Sequence, residues 1–197
     1  MVKERKTSDG AVVSPDNFAR AETDLYFGKA VADGGFGTLI HIRESMPLDK
    51  QLVVRSNRDT LYSTGAFDLD AGPVTISLPD ADDRFMSMQV ITEDHYVPAV
   101  FYGQGEHTLD RDGIGTRYVL AALRILVDPD DDSDLATVHA LQDAVVVRQL
   151  DTGSFDIPSG TLSARRPSGT RSVSWGPPCP TPRPCSARRM TATRCDI

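Results

Sequence analysis

Between residues 51 and 128 apolar residues recur at every second position in short runs separated by turn residues, a spacing that predicts an antiparallel β domain. Val74, Ile76 and Leu78 share one face of a predicted strand, with Asp70-Ala71-Gly72-Pro73 and Pro79-Asp80-Ala81-Asp82 as its flanking turns. Met86, Met88 and Val90 face away from Phe85, Ser87, Gln89 and Ile91 in the next strand. Further on, Val119, Ala121, Leu123, Ile125 and Val127 form a wholly apolar face that must point into a core. Helical spacing brackets this region. A first helix is predicted to open at Ser14-Pro15, the serine as cap and the proline at the first helical position, with Phe18, Ala21 and Leu25 as its apolar stripe and Asp33-Gly34-Gly35 as its stop. A second follows the acidic run at residues 128–134 and puts Leu135, Val138, Leu141 and Val145 on one side.

The pattern ends at Pro158, where the composition changes. All three cysteines (Cys179, Cys185, Cys195) and Trp175 lie after it, whereas every Phe, Tyr, His and Lys lies before it. Residues 1–158 carry 14 Lys+Arg against 27 Asp+Glu, a net of −13; the residues after Pro158 carry seven Arg against Asp196 alone, a net of +6. The sequence therefore divides into a body of residues 13–158 and a tail of residues 159–197. The tail is rich in Pro, Arg, Ser and Thr and poor in large apolar groups, which predicts disorder.

Charge removes some functions from consideration. An acidic body lacks the basic stripe that replaces phosphate counterions, which argues against nucleic acid as a partner. No run reaches the ~18 to 20 apolar residues of a membrane helix. The first six residues are charged and no apolar stretch follows, so the reading includes no secretory signal and makes the cytoplasm the default location. The acidic run at residues 128–134 invites a calcium reading, but the sixth position from Asp128 is not glycine and the twelfth is His139, so helix capping is the expected role.

Two clusters could carry chemistry. In residues 54–63, Arg55 and Asn57 on one strand face would offer a guanidinium and an amide to a small anionic ligand, with Asp59 and Tyr62 beside them. In the alternative, Asn57 to Thr60 form a turn in which Asp59 accepts backbone N–H groups and Arg55 pairs with a carboxylate. The second cluster is Glu93-Asp94-His95-Tyr96. If the preceding strand continues, Gln89, Glu93 and His95 share a face, and a carboxylate beside an imidazole could transfer protons near neutral pH. The same two groups could instead supply metal ligands with His107 as a distant third, but no metal-binding spacing supports a metal site. The candidate site is thus Glu93 and His95 as catalytic residues, with Arg55, Asn57, Asp59, Tyr62 and Gln89 as ligand contacts. No cofactor is indicated.

Ser14-Pro15-Asp16-Asn17-Phe18, Asn57-Arg58-Asp59-Thr60-Leu61-Tyr62-Ser63, Phe85-Met86-Ser87-Met88-Gln89-Val90, Glu93-Asp94-His95-Tyr96 and Val127-Asp128-Pro129 together resemble a bacterial domain-of-unknown-function family, number 1254. The resemblance extends over residues 13 to about 158. It implies a mainly β fold, an antiparallel jelly-roll-like sandwich with a helix before and a helix after the strands. It also implies that full-length members continue into a second β domain of family 1214, a missing partner here, and that they are often exported.

The tail departs from that family. With GC-rich codons, a shifted reading frame from Gly160 can yield a string containing LPD, MFG and DPVRH segments that resembles the family's continuation, so a frameshift is the expected origin of the tail. Two functions stand side by side: part of a small-molecule-binding enzyme acting on a small anionic substrate, or a non-catalytic binding or structural β module in which the same clusters are turns and ion pairs. A truncated product without function of its own is the third reading.

Overall fold

The computed structural model describes residues 13–47 and 57–157. Arg55, the tail, its expected disorder and the proposed shifted frame all fall outside them. Along the described chain run α1 (Phe18–Ala32), β1 (Ile40–His41), β2 (Thr60–Asp68), β3 (Val74–Leu78), β4 (Met86–Thr92), β5 (Ala99–Tyr102), β6 (Gly105–Leu109), α2 (Arg111–Ile114), β7 (Tyr118–Leu126), α3 (Asp132–Asp143) and β8 (Val146–Gln149). The described part is mainly β: five strands form one sheet in the order β1-β2-β7-β4-β5, three form another in the order β6-β3-β8, and neighbouring strands are antiparallel.

Period-two alternation sorts these strands into faces, as the sequence indicated. Val74, Ile76 and Leu78 of β3, Met86, Met88 and Val90 of β4, and Val119, Ala121, Leu123 and Ile125 of β7 are all buried in one core that both sheets share. Val138 of α3 is fully buried in the same core, and Leu135, Leu141 and Val145 pack against it. Burying each such large side chain contributes about 1.5 to 3 kcal/mol, so this shared interior dominates the stability of the fold.

The five-stranded sheet has a second, outer face, on which α1 lies. Phe27 and Ala30 of α1 pack there against Tyr118, Leu120 and Ala122, with Phe36, Ile91, Phe155 and Ile157 at the margin. This corrects two expectations about the helix. Residues 15–17 form a turn before α1, Asn17 stands at the N-cap position, and its Oδ1 accepts the Ser14 N–H at 2.7 Å, so Ser14 is no cap. The buried face is Thr23, Asp24, Phe27 and Ala30, while Phe18 is 53% exposed. The polar Thr23 and Asp24 hide the stripe from a purely apolar count, and Thr23 bonds His95 beneath the helix.

The last described segment, residues 150–157, straps this face. The Tyr118 hydroxyl donates to Ser154 O at 2.8 Å and accepts from Asp156 N–H at 2.7 Å, and the rings of Tyr118 and Phe155 lie 4.9 Å apart. Asp68, at the end of β2 and almost fully buried, receives Arg117 Nη2 at 2.8 Å, Ser154 N–H at 3.2 Å and Asp70 N–H at 3.0 Å. Burial alone pushes the Asp68 carboxyl up, but these donors together carry it below the usual carboxylate range.

The acidic run before α3 caps that helix. Asp131 accepts the N–H of Ser133 at 2.8 Å and of Asp134 at 3.4 Å, and Asp134 pairs with Arg84 and accepts the Asp128 N–H at 2.8 Å.

Candidate functional site

The outer face of the five-stranded sheet can be reconstructed row by row. Because alternate residues point to opposite sides, burial of Val119, Ala121, Leu123 and Ile125 sends Leu120, Ala122, Arg124 and Leu126 outward. The pairing register then aligns Thr64, Ala122, Gln89 and Val100 in one row, and Tyr62, Arg124, Ser87 and Tyr102 in the next. The helix α1 covers the end nearest Leu120 and leaves a groove of about 440 Å³ alongside it. The groove is walled by Tyr26, Phe27, Ile40, Ile42, Ile91 and Leu120, with Thr23, Thr64 and His95 as polar groups and the Lys29–Asp33 ion pair at its edge. Ile42 also borders a second cleft of about 460 Å³, lined by Glu44, Ser45, Met46, Asn57 and Tyr62 among others.

The residues expected to transfer protons are divided by a turn. Strand β4 stops at Thr92, whose carbonyl accepts the His95 N–H at 3.0 Å and whose hydroxyl accepts the Tyr96 N–H at 3.1 Å, so the shared strand face of Gln89, Glu93 and His95 does not form. Glu93 turns inward. It is 5% exposed, its Oε2 accepts the Tyr118 N–H at 3.0 Å and its Oε1 lies 3.2 Å from Arg20 Nη2. His95 turns the other way and adopts a left-handed backbone, φ 66°, that few non-glycine residues occupy.

The tautomer of His95 follows from its neighbour. The Thr23 hydroxyl gives its single hydrogen to Ala19 O at 2.9 Å, so at 2.8 Å it can only accept from His95 Nδ1. Neutral His95 therefore carries its proton on Nδ1, and Nε2 keeps its lone pair as an acceptor. The ring stands 6.5 Å from that of Tyr26 at the groove.

On the opposite flank of α1 a charged cleft of about 360 Å³ holds Arg20, Asp24, Glu93, Asp94 and Arg117. Arg20 bridges Glu93 and Asp94. Burial pushes the Asp24 carboxyl above its usual value, the charge of Glu93 adds to that, and Arg20 opposes it.

Within the described part of the first cluster, Asn57 to Asp59 lie outside β2 and Tyr62 lies in it. Asn57 precedes β2; its Oδ1 accepts the Asp59 N–H at 2.9 Å and its Nδ2 donates to Thr60 Oγ1 at 2.8 Å and to Tyr62 OH at 2.9 Å. The acceptor that closes this turn is thus Asn57, not Asp59. Asn57 has no amide hydrogen left to offer, because both are engaged. Tyr62 and Gln89 do face outward, in adjacent rows. His107, the distant histidine, stacks on Phe101 with ring centres 4.0 Å apart, and burial pushes its imidazole below the usual value.

Sequence reasoning missed Arg124. Its guanidinium lies over the Tyr62 ring, 5.3 Å from the centroid, and its Nε is buried without a hydrogen-bond partner. The signal was present as the one charged residue inside the apolar run of β7.

Residues 36–108 match a family model described as a protein of unknown function, DUF1254. Over these residues the chain is similar to DUF1254. The matched segment spans β1 to β6 and includes Tyr62, Gln89, Glu93 and His95, and the description of the family names no reaction. No curated protein matches the chain. Among solved structures, the crystal structure of the VPA0106 protein from Vibrio parahaemolyticus is similar, with a TM-score of 0.48 and 22% identity over 68% of this chain. The chain spans only 36% of the length of that protein. Among the described residues no helix is long and apolar enough to cross a membrane.

Proposed function

We propose that this chain is a ligand-binding β module that takes an amphipathic small molecule into the groove between α1 and the outer sheet face. The observation that supports this reading is the groove itself: a mostly apolar channel of about 440 Å³ with a few polar groups at its wall is the usual form of a small-molecule site. His95 acts in it as a hydrogen-bond acceptor through Nε2, fixed in direction by Thr23. Proton transfer between Glu93 and His95 is the less favoured reading, because Glu93 is engaged with Tyr118 and Arg20 on the other flank of the turn.

Titration of the full chain with the neutral dye Nile red tests the groove. Saturable enhancement of its fluorescence is expected, weakened about fivefold or more when Tyr26 and Ile42, both about half exposed, are changed to serine. Wild-type affinity in the Tyr26→Ser/Ile42→Ser variant, with an unchanged thermal midpoint, would place the dye elsewhere and reject the reading.

A further inference from the structure

Among the described residues, arginines find carboxylates readily in this acidic body. Arg20, Arg43, Arg84, Arg111, Arg117 and Arg148 each form an ion pair. Arg58 donates to the Met46 carbonyl. Among the described residues Arg124 does neither: it stands in the central strand of the five-stranded sheet with the Tyr62 ring against its guanidinium. That stacking satisfies the face of the guanidinium but not its N–H edge, and a buried donor without an acceptor is a costly arrangement to keep.

The neighbours of Arg124 on its own row also donate. Ser87 stands directly opposite it on β4, buried and with no hydrogen bond from its hydroxyl to a described group. Tyr62 stands opposite it on β2; its hydroxyl accepts from Asn57 Nδ2 and so retains its own hydrogen to give. Directly opposed residues have Cβ atoms about 4.5 to 5.5 Å apart, so these groups can meet on one small ligand group. Three donors without an acceptor are complementary to an anion. Glu44, on the wall of the adjoining cleft, adds negative charge that favours a singly charged group over a dianion.

We infer that Arg124, Ser87 and Tyr62 form an anion subsite that holds the carboxylate of an amphipathic organic acid whose apolar body lies in the α1 groove. The inference rests on the groove reading for the body of the ligand and adds its charged end. The geometry connects the two: Thr64, at the groove wall, lies two residues from Tyr62 of the next row, about 7 Å along the strand. A guanidinium suits this task because its planar edge presents two parallel N–H groups to a carboxylate.

Calorimetric titration of the full chain with octanoate, 1-octanol and inorganic phosphate tests the assignment. Octanoate is expected to bind about tenfold or more tightly than octanol, and phosphate more weakly than octanoate. Arg124→Met should bring octanoate down to the affinity of octanol while leaving octanol unchanged; Arg124→Lys should retain part of the advantage, and Ser87→Ala should lose about threefold for octanoate alone. Equal binding of octanoate and octanol by the wild type, or undiminished octanoate binding in Arg124→Met, overturns the subsite and leaves the groove standing. Should Arg124→Met not fold, undiminished binding in both Arg124→Lys and Ser87→Ala has the same force. Tighter binding of phosphate than of octanoate overturns the carboxylate. Failure of both octanoate and octanol to bind rejects the groove itself.

Discussion

Gly65 lies where the chain at Thr38 crosses over strand β2, and a Cβ at that position would overlap the Thr38 carbonyl oxygen and crowd Leu39. Backbone on both sides of the contact leaves nowhere to yield, so Gly65→Ala is expected to lower stability by about 1 to 3 kcal/mol, measurable as a lower urea midpoint. The same single-residue view explains what was legible at the site. Tyr62 and Gln89 were readable as outward groups because alternation alone fixes their side of the strand. Asn57 was readable only as an alternative, since its turn depends on which of two neighbouring side chains accepts the backbone N–H. Arg55 drew attention through its polar neighbours, whereas Arg124 sat in an apolar run whose buried face was the more obvious message. Only the register of β2, β4 and β7 reveals that its row holds donors, and register depends on pairing between distant segments.

Elements divide by how much of their signal is local. Strands β3, β4 and β7 follow from period two, and α3 from its acidic start and apolar side. The capping of α3 is testable in the same terms: Asp131→Ala removes the acceptor for Ser133 and Asp134 N–H and is expected to lower stability by about 1 kcal/mol, seen as a drop of a few degrees in the thermal midpoint. The buried face of α1 departs from the apolar stripe because it includes the polar Thr23 and Asp24. Thr23 meets His95, which no sequence window around the helix contains, whereas Asp24 is buried beside Glu93 with Arg20 of its own helix as the opposing charge. The premise that β4 runs on through His95 failed for a related reason. The Thr92 carbonyl and hydroxyl capture the N–H groups of His95 and Tyr96, and that local capture ends the strand.

At the scale of the molecule, the acidity of the body is organised by sign. Asp134 is held down to about 2 by its hydrogen bond from Arg84, and Asp68 lies below its ordinary value as well. Both contribute stability that is present above the ordinary aspartate value of 3.8 and is lost as pH falls through their folded values, toward about 2 for Asp134. Asp24 works in the opposite direction. Its folded value is raised, so its contribution is lost as pH rises from 3.8 through that folded value, and the charged carboxylate then burdens the fold at neutral pH. Thermal midpoints of Asp24→Asn and wild type, compared between pH 4 and pH 7, should therefore diverge in favour of the variant as pH rises; a gap that closes over this range would contradict the assignment.

The pairing of β2 with β7 also bears on time rather than on equilibrium. Each of its residue pairs, from Thr60 with Leu126 to Asp68 with Tyr118, joins parts of the chain separated by β3, β4, β5 and β6, and β7 must then accept β4 on its other edge. Chain entropy has to be surrendered before any of these contacts is gained, and sandwich topologies of this sort refold on the order of milliseconds to seconds. Until α1 covers Tyr118, Leu120 and Ala122 they form an apolar patch on the sheet, so the refolding chain is expected to self-associate most in that interval, measurable as light scattering that rises with protein concentration during refolding.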